Sequence, residues 1–222
     1  MSQQTIPLDE LAERYNKIYT PAIADILDER GLMHQILPPP IQALALGMRV
    51  AGPALTVKGT PTTIHKDEYL QLMLQAYVNM EPGIIAVYDS SADQMAAHWG
   101  ELVSTAASVK GCRGAVIDGG VRDVDRIIEM GFPVFCRYRS PADIRGRWRY
   151  VEVNVPIRLG EVLVQPGDYV VGDANGVVVV PKDLTVEVLL AVEEVVEIED
   201  KIREELRAGE NPMTLYQKYR RF

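Results

Sequence analysis

The spacing of apolar residues changes character several times along this chain, and each change predicts a different element. LDELAERYNKIYTPAIADILDERG, ending at Gly31, repeats its apolar residues at helical spacing. Thr20-Pro21 interrupts the pattern, so two helices are expected, the second from about Pro21 to Arg30 with Thr20 as its cap and Gly31 as its stop. LPPPIQAL reads as a loop, and MRVAGPALTVKG alternates as a strand does, with Gly52-Pro53 expected as a bulge or edge irregularity. DEYLQLMLQAYVNM returns to helical spacing, with Leu70, Leu74 and Tyr77 on one face.

From there strands and helices alternate. IIAVYDS, GAVIDGG and PVFCRY are short apolar runs that read as buried strands, while HWGELVSTAASVKG and VRDVDRIIEMG read as the helices between them. This order indicates an α/β layer with parallel pairing. WRYVEVNVPIRL, EVLVQPGDYVVGD and GVVVVP are β-rich and bounded by PGD and DANG turns. LTVEVLLAVEEVVEIEDKIREELRAG is one long amphipathic helix, ending at Gly209. The expectation is a single α/β domain over residues 1–222 with a mixed sheet, a projecting C-terminal helix at about 184–209 and a polar tail at 210–222.

Composition narrows the choice of partner. The chain has 222 residues, 47% hydrophobic and 24% charged, which fits a globular protein and not a disordered one. Lys+Arg 23 against Asp+Glu 31 leaves a net charge of -8, a poor match for nucleic acid, which demands local positive charge. No run approaches the roughly 20 apolar residues that span a bilayer, and the opening MSQQTIPLDELAERY is polar and acidic, unlike a secretory leader. Cys112 and Cys136 form neither a metal-ligand spacing nor a disulfide framework and are expected to be buried. A cytoplasmic protein with no nucleic-acid or membrane partner is expected.

The most informative stretches are Gly100-Glu101-Leu102-Val103 and Ile117-Asp118-Gly119-Gly120-Val121-Arg122-Asp123. If Gly100 opens a helix, the amides of Leu102 and Val103 lie in its first turn without intrahelical partners, as at sites that bind carboxylates. A buried strand running into Gly119-Gly120 lets backbone approach a ligand closely at the edge where open α/β sheets bind ligands. Arg122 suits a bidentate clamp on a carboxylate. Asp123 and Glu101 are hard oxygen ligands of the kind Mg²⁺ uses one or two at a time. The same acids at helix starts also complement the helix dipole with no further role, so both readings stand on the residues alone.

Glu101, twenty intervening residues and then Arg122-Asp123 resembles the acidic-X20-Arg-Asp signature of the 4-hydroxy-4-methyl-2-oxoglutarate / 4-carboxy-4-hydroxy-2-oxoadipate aldolases, which are related to the regulator of ribonuclease activity A. TPAIADILDERG, AGPALTV, PGIIAVYD, WGEL, GAVIDGGVRD, GFPVF, PGDYVVGDANGVVVVP and EDKIREELRAG extend the resemblance over most of the chain. It implies the swivelling β/β/α fold of that RraA-like family, homotrimeric rings sometimes stacked to hexamers, and a class II pyruvate aldolase that also decarboxylates oxaloacetate. It further implies Mg²⁺ (or Mn²⁺) bound directly by Asp123, with Glu101 holding its water shell where many members have Asp. Arg122 matches the substrate clamp, and the Leu102 and Val103 amides match those that receive the pyruvate carboxylate. Glu199, or Glu197 if the helix alignment slips, matches a glutamate lent to a neighbouring subunit's metal site through water. The ribonuclease-regulator branch typically lacks the aspartate at the position of Asp123, so the resemblance favours a lyase on a 2-oxo acid over a protein-binding regulator of RNA degradation. A lyase or hydratase on the same scaffold with another hydroxy-acid substrate is the remaining alternative.

Other groups read more blandly. His65 in HKDE sits at a helix start, where acids cap and solvate; His98 precedes Gly100 and is expected to pack or lie at the surface; His34 reads as loop surface. Lys58 and Lys66 lack the apolar strand setting of a Schiff-base lysine. Ser90-Ser91 is not a GxSxG elbow, and Gly119-Gly120 is not a dinucleotide fingerprint. The run RYRSPADIRGRWRY, with Arg137, Arg139, Arg145, Arg147 and Arg149, is expected to serve a subunit contact or a distal substrate carboxylate, with Arg139 or Arg145 setting specificity.

Overall fold

The computed structural model describes residues 6–78 and 80–221, Asp67 by its backbone only. Helices α1 (Leu8–Tyr15) and α2 (Thr20–Glu29) come first. Thr20 does not cap α2 but begins it, and its amide and hydroxyl both donate to the Asp173 carboxylate, at 2.9 and 2.7 Å. An acid from a distant turn thus satisfies the first-turn donors, and Thr20 becomes a donor itself. Gly31 ends the segment at φ +76°, a left-handed stop open to glycine.

Among the described residues nine strands form one mixed sheet: β1 (Gln42–Ala43), β2 (Val50–Pro61), β3 (Ile85–Asp89), β4 (Ala97–Trp99), β5 (Gly114–Val121), β6 (Val134–Arg139), β7 (Trp148–Val153), and, after the separate hairpin of β8 (Ile157–Leu159) and β9 (Val162–Val164), β10 (Tyr169–Asp173) and β11 (Gly176–Val180). The main path is β1-β6-β5-β3-β2-β10-β11, with β2, β3, β5 and β6 parallel. Its two ends approach through the segment before β2. Leu37 N donates to Val177 O at 2.9 Å, and Leu44 N donates to Val134 O at 2.8 Å, so the sheet is nearly closed.

β2 is long because it serves two antiparallel neighbours in turn, β10 along Val50–Pro53 and β7 along Val57–Pro61. Gly52-Pro53 is therefore no bulge: both residues pair in register with Val170 and Tyr169, and the register shift falls at Lys58/Gly59. Gly52 serves close approach, since a Cβ there would lie 2.5 Å from the Gly83 carbonyl oxygen.

Both faces of the central strands are covered, which explains their continuous apolar runs. Val87, Val116 and Phe135 bury against the β8–β9 hairpin, while Tyr88, Ile117 and Cys136 bury with Trp99, Ala107 and Ile127, under α4 (Glu101–Val109) and α5 (Val124–Glu129). Val121 to Asp123 lie outside α5, contrary to the expected VRDVDRIIEMG helix, because Val121 is still in β5 and Asp123 turns left-handed at φ +58°. A third cluster joins α1, α2 and α6 (Thr185–Arg207) to β10 and β11.

α3 (Asp67–Val78) buries Tyr77 as expected, yet Leu70 and Leu74 are 39% and 50% exposed. Met73 packs inward instead, and the Arg149 guanidinium lies 5.2 Å over the Tyr69 ring, so the inward face is rotated toward Tyr69, Met73 and Tyr77. The expected polar tail is a helix, α7 (Pro212–Tyr219). Asn211 caps it through Met213 N at 2.8 Å, Leu215 is buried, and Lys218 and Tyr219 hold Glu205 of α6. Among the described residues no helix is long and apolar enough to cross a membrane.

Candidate active site

The end of β5 and the start of α4 are neighbours because β4 pairs with β5 and then runs directly into α4. Arg122 N donates to Trp99 O at 3.0 Å, closing the two chain segments against each other. Gly100 is the residue before α4 and supplies no side-chain cap. Ser104 N donates to Gly100 O at 3.0 Å and Glu101 N to Asp123 Oδ2 at 3.2 Å. Among the described residues the Leu102 and Val103 amides keep no partner, which leaves two backbone donors at the positive end of a helix dipole.

Gly100 is extended, so its backbone does not demand glycine; its surroundings do. A Cβ there would lie 2.8 Å from Asp123 Oδ2 and 3.2 Å from Arg122 Cγ. Asp123 holds φ +58° and ψ +35°, a conformation aspartate tolerates better than most residues and one that often marks a functional position. The Arg122 guanidinium is pinned on two sides: Nη1 donates to Asp143 Oδ2 at 2.8 Å, and Nε lies 3.7 Å from Asp123 Oδ2. Partial burial pushes the Asp143 carboxyl up, but the Arg145 amide and then Arg122 outweigh it and hold Asp143 below its ordinary value. Asp143 therefore stays ionised and keeps Arg122 in place.

Gly100, Leu102, Val103, Arg122, Asp123 and Asp143 line a cavity of about 260 Å³, together with residues of α3, the 144–145 turn and β7. Glu101 is not part of that wall. Its Oε1 accepts from Thr105 Oγ1 at 2.9 Å, one turn along α4. Glu199 lies on α6, accepting from Arg203 Nη2 at 3.1 Å, and Glu197 is exposed on the same helix; neither lines the cavity of its own chain. Among the described residues no three His, Cys, Asp or Glu side chains gather into a metal cage. One carboxylate with open space beside it is a donor set that fits Mg²⁺, which keeps several of its waters.

Gly119-Gly120 has a different reason from the one the sequence suggested. A Cβ on Gly119 would lie 2.4 Å from His98 Nδ1, and one on Gly120 would lie 2.4 Å from the Tyr138 ring, so the space belongs to the protein's own side chains and not to a ligand. His98 is buried. Its Nδ1 accepts from Gly120 N at 3.1 Å, its Nε2 lies 3.2 Å from Asp93 Oδ2 without the alignment of a hydrogen bond, and its ring meets Trp148 edge-on at 4.8 Å. Burial lowers its pKa to about 4 against the opposing pull of Asp93, so the ring is neutral.

Four arginines of the run make contacts within the chain. Arg137 donates to Asp118, Arg139 to Leu44 O, Arg147 to Asp143 O, and Arg149 covers Tyr69. Arg145 lines the cavity rim with a 69% exposed side chain. His65 and Lys66 also line it and are exposed, while His34 sits on an exposed loop and Lys58 pairs in register with Asp89. Ser90 is buried, with its hydroxyl donating to Asp118 O. Cys112 and Cys136 are free and buried, and burial pushes both thiols up, Cys136 to about 11. Asp143, Met73 and Trp148 were not anticipated at the site. Asp143 lies 21 residues from Arg122 in an irregular loop, where no periodic pattern announces it.

A family model described as RraA-like: Aldolase/RraA matches residues 20–179. The chain belongs to the RraA-like family. A relative from Halalkalibacterium halodurans named "Putative 4-hydroxy-4-methyl-2-oxoglutarate aldolase" is 35% identical over 182 residues, 82% of this chain and 80% of its own. A solved structure described among novel cellulases from microbes associated with the gut ecosystem superposes with a TM-score of 0.85 at 37% identity, over 90% of this chain and 91% of that one. A Streptomyces coelicolor protein described as an unusual member of the RNase ES inhibitor RraA protein family superposes with a TM-score of 0.80 at 28% identity, over 88% of this chain and 98% of its own. The mixed, nearly closed sheet and C-terminal helix of this chain are thus RraA-like features.

Proposed function

We propose that this RraA-like protein is a divalent-metal-dependent lyase that cleaves a 4-hydroxy-2-oxo acid to pyruvate and a second carbonyl compound, and also decarboxylates oxaloacetate. The observation that carries this reading is the pole of the cavity, where two unpartnered helix-start amides, a pinned guanidinium and a left-handed aspartate converge. Asp123 would hold Mg²⁺ or Mn²⁺, with Glu101 and a neighbouring subunit's α6 as further sources of oxygen, and the ion would supply Lewis-acid polarisation of the 2-oxo acid.

The chain's own groups do the rest. The Leu102 and Val103 amides receive the substrate carboxylate. As the C3–C4 bond breaks, its electron pair moves onto the pyruvate fragment as an enolate, and Arg122 stabilises the oxyanion. The C4 hydroxyl loses its proton to a water at this pole and becomes the carbonyl of the second product. The enolate then takes a proton at C3 to give pyruvate. Loss of CO₂ from oxaloacetate leaves the same enolate, so both reactions use one pole.

A cellulase reading, suggested by one structural relative, asks for a carboxyl of raised pKa facing a second carboxylate. Asp143 is held low and bonded to Arg122, which does not meet that demand. The regulator reading rests on likeness to the Streptomyces coelicolor protein and needs no turnover. The decisive experiment measures pyruvate release from oxaloacetate and from 4-hydroxy-4-methyl-2-oxoglutarate with Mg²⁺, with EDTA, and for Asp123→Ala and Asp123→Asn. Chelation or either substitution should lower kcat/KM by about 10²-fold or more, the scale for losing a charge-stabilising group, while Asp123→Asn keeps the wild-type melting temperature. Turnover indifferent to EDTA and to both substitutions sinks the metal-lyase reading; no turnover at all favours the regulator.

A further inference from the structure

The walls beyond the pole have a different chemistry. Leu70 and Met73 of α3, Ile144, Trp148 of β7, and the side chains of Leu102 and Val103 make up much of the cavity surface. Leu70 is 39% exposed and Leu102 76% exposed, so this apolar surface is not consumed by the chain's own packing. Of the basic side chains on the wall, Arg122 is committed to the pole, while Lys66, Arg145 and His65 are exposed at the rim, where water screens charge. A carboxylate inside these walls would lose hydration without a buried partner to replace it.

Resting on the aldolase reading, we infer that the substrate carries an apolar group beyond the scissile bond, an alkyl or aryl substituent on C4 that leaves as an aldehyde or ketone, and not a second carboxylate. The pole fixes the orientation. With the 2-oxo acid end on Arg122 and the α4 amides, the C4 substituent extends into space bounded by Leu70, Met73, Ile144 and Trp148. The cavity, at about 260 Å³, is at the small end for ligand pockets, which suits a pyruvyl unit with a short side chain. Leu70 and Met73 set the specificity, since both come from α3 and neither is bonded to the pole. Each methylene buried there contributes roughly fourfold in affinity.

The test uses the full chain with Mg²⁺ and two sets of probes. 2-Oxohexanoate and 4-phenyl-2-oxobutanoate are compared with 2-oxoglutarate as competitors of oxaloacetate decarboxylation, and the same compounds are titrated calorimetrically. The apolar 2-oxo acids should bind about tenfold or more tighter, with the negative heat-capacity change of apolar burial. 4-Hydroxy-2-oxo acids with a C4 alkyl or phenyl group should show higher kcat/KM for pyruvate release than 4-hydroxy-4-methyl-2-oxoglutarate. Leu70→Arg should bring the affinity ratio close to one, and Leu70→Met should preserve it, with melting temperatures checking that both fold. A protein that decarboxylates oxaloacetate but binds 2-oxoglutarate as tightly as the apolar acids overturns this inference and leaves the aldolase reading standing. A protein that neither decarboxylates oxaloacetate nor releases pyruvate from any probe overturns both.

Discussion

At the pole of the cavity, the proposed functional atoms are held by directed bonds: Arg122 between Trp99 O and Asp143, and Asp123 against the Glu101 amide. Along the wall, Met73, Ile144 and Trp148 are held mainly by packing, with Leu70 beside them. The two regions therefore differ in what a substitution does to them. Directed bonds tolerate little displacement before function is lost, and they contribute modestly to global stability. Packed walls tolerate changes of shape in function, but their loss is felt as unfolding.

Gly100→Ala should break the comparison at the pole, with a large expected effect on activity and little on stability. The added Cβ meets Asp123 Oδ2 at 2.8 Å and Arg122 Cγ at 3.2 Å, and side chains of this kind can swing away at small cost to the fold. The Asp123 carboxylate, the proposed metal ligand, then sits out of place, and displacements of that size cost up to about 10²-fold. A fall in kcat/KM of about 10- to 100-fold with a melting temperature near wild type is expected from steady-state assays and calorimetry. A large drop in melting temperature would place Gly100 in the structural class and remove its link to the pole.

Gly59→Ala sharpens the comparison from the other side. A Cβ on Gly59 would lie 1.8 Å from Trp148 Cζ2 and 2.3 Å from its Cε2, so the indole has to leave its place. Trp148 is 2% exposed, donates Nε1 to Ser90 O at 3.0 Å, and stacks edge-on with His98 and Tyr150. Overpacking of this severity costs about 3 kcal/mol, the upper part of the usual range, and should appear in the urea midpoint. At low temperature the folded fraction should keep oxaloacetate decarboxylation, which needs only the pole, and lose preference for apolar C4 groups.

The same contrast explains what was legible in the sequence. Gly100, Leu102, Val103, Arg122 and Asp123 fall within short segments where a strand end meets a helix start, and local rules describe such junctions. Gly31 and Gly209 were readable as helix stops for the same reason, and both take positive φ. The wall was not readable, because Trp148 reaches the site from a loop-flanked antiparallel strand and Met73 from an α3 face that also places Tyr69 under Arg149, a partner distant in sequence. Thr20 and Gly52 were misjudged because their partners, Asp173 and Gly83, are distant in sequence. The glycine pair at 119–120 was readable as a close approach, but the identity of the approaching groups, His98 and Tyr138, came only from the fold.

His98 joins the two regions, accepting from Gly120 N beside the pole and packing against Trp148 in the wall, and it supplies the smallest effect. Burial lowers its pKa from the ordinary histidine value of 6.5 to about 4, with Asp93 pulling the other way. Between these two values the unfolded chain binds a proton that the folded chain does not, so stability falls as pH drops from about 6.5 toward 4 and is fully present above that window. The contribution is on the order of 1–3 kcal/mol. His98→Asn removes the titrating ring and retains a side chain able to accept from Gly120 N. Urea midpoints between pH 4 and 7 should therefore slope less for the variant than for the wild type. Parallel slopes would assign the acid sensitivity to other groups and leave His98 a packing residue alone.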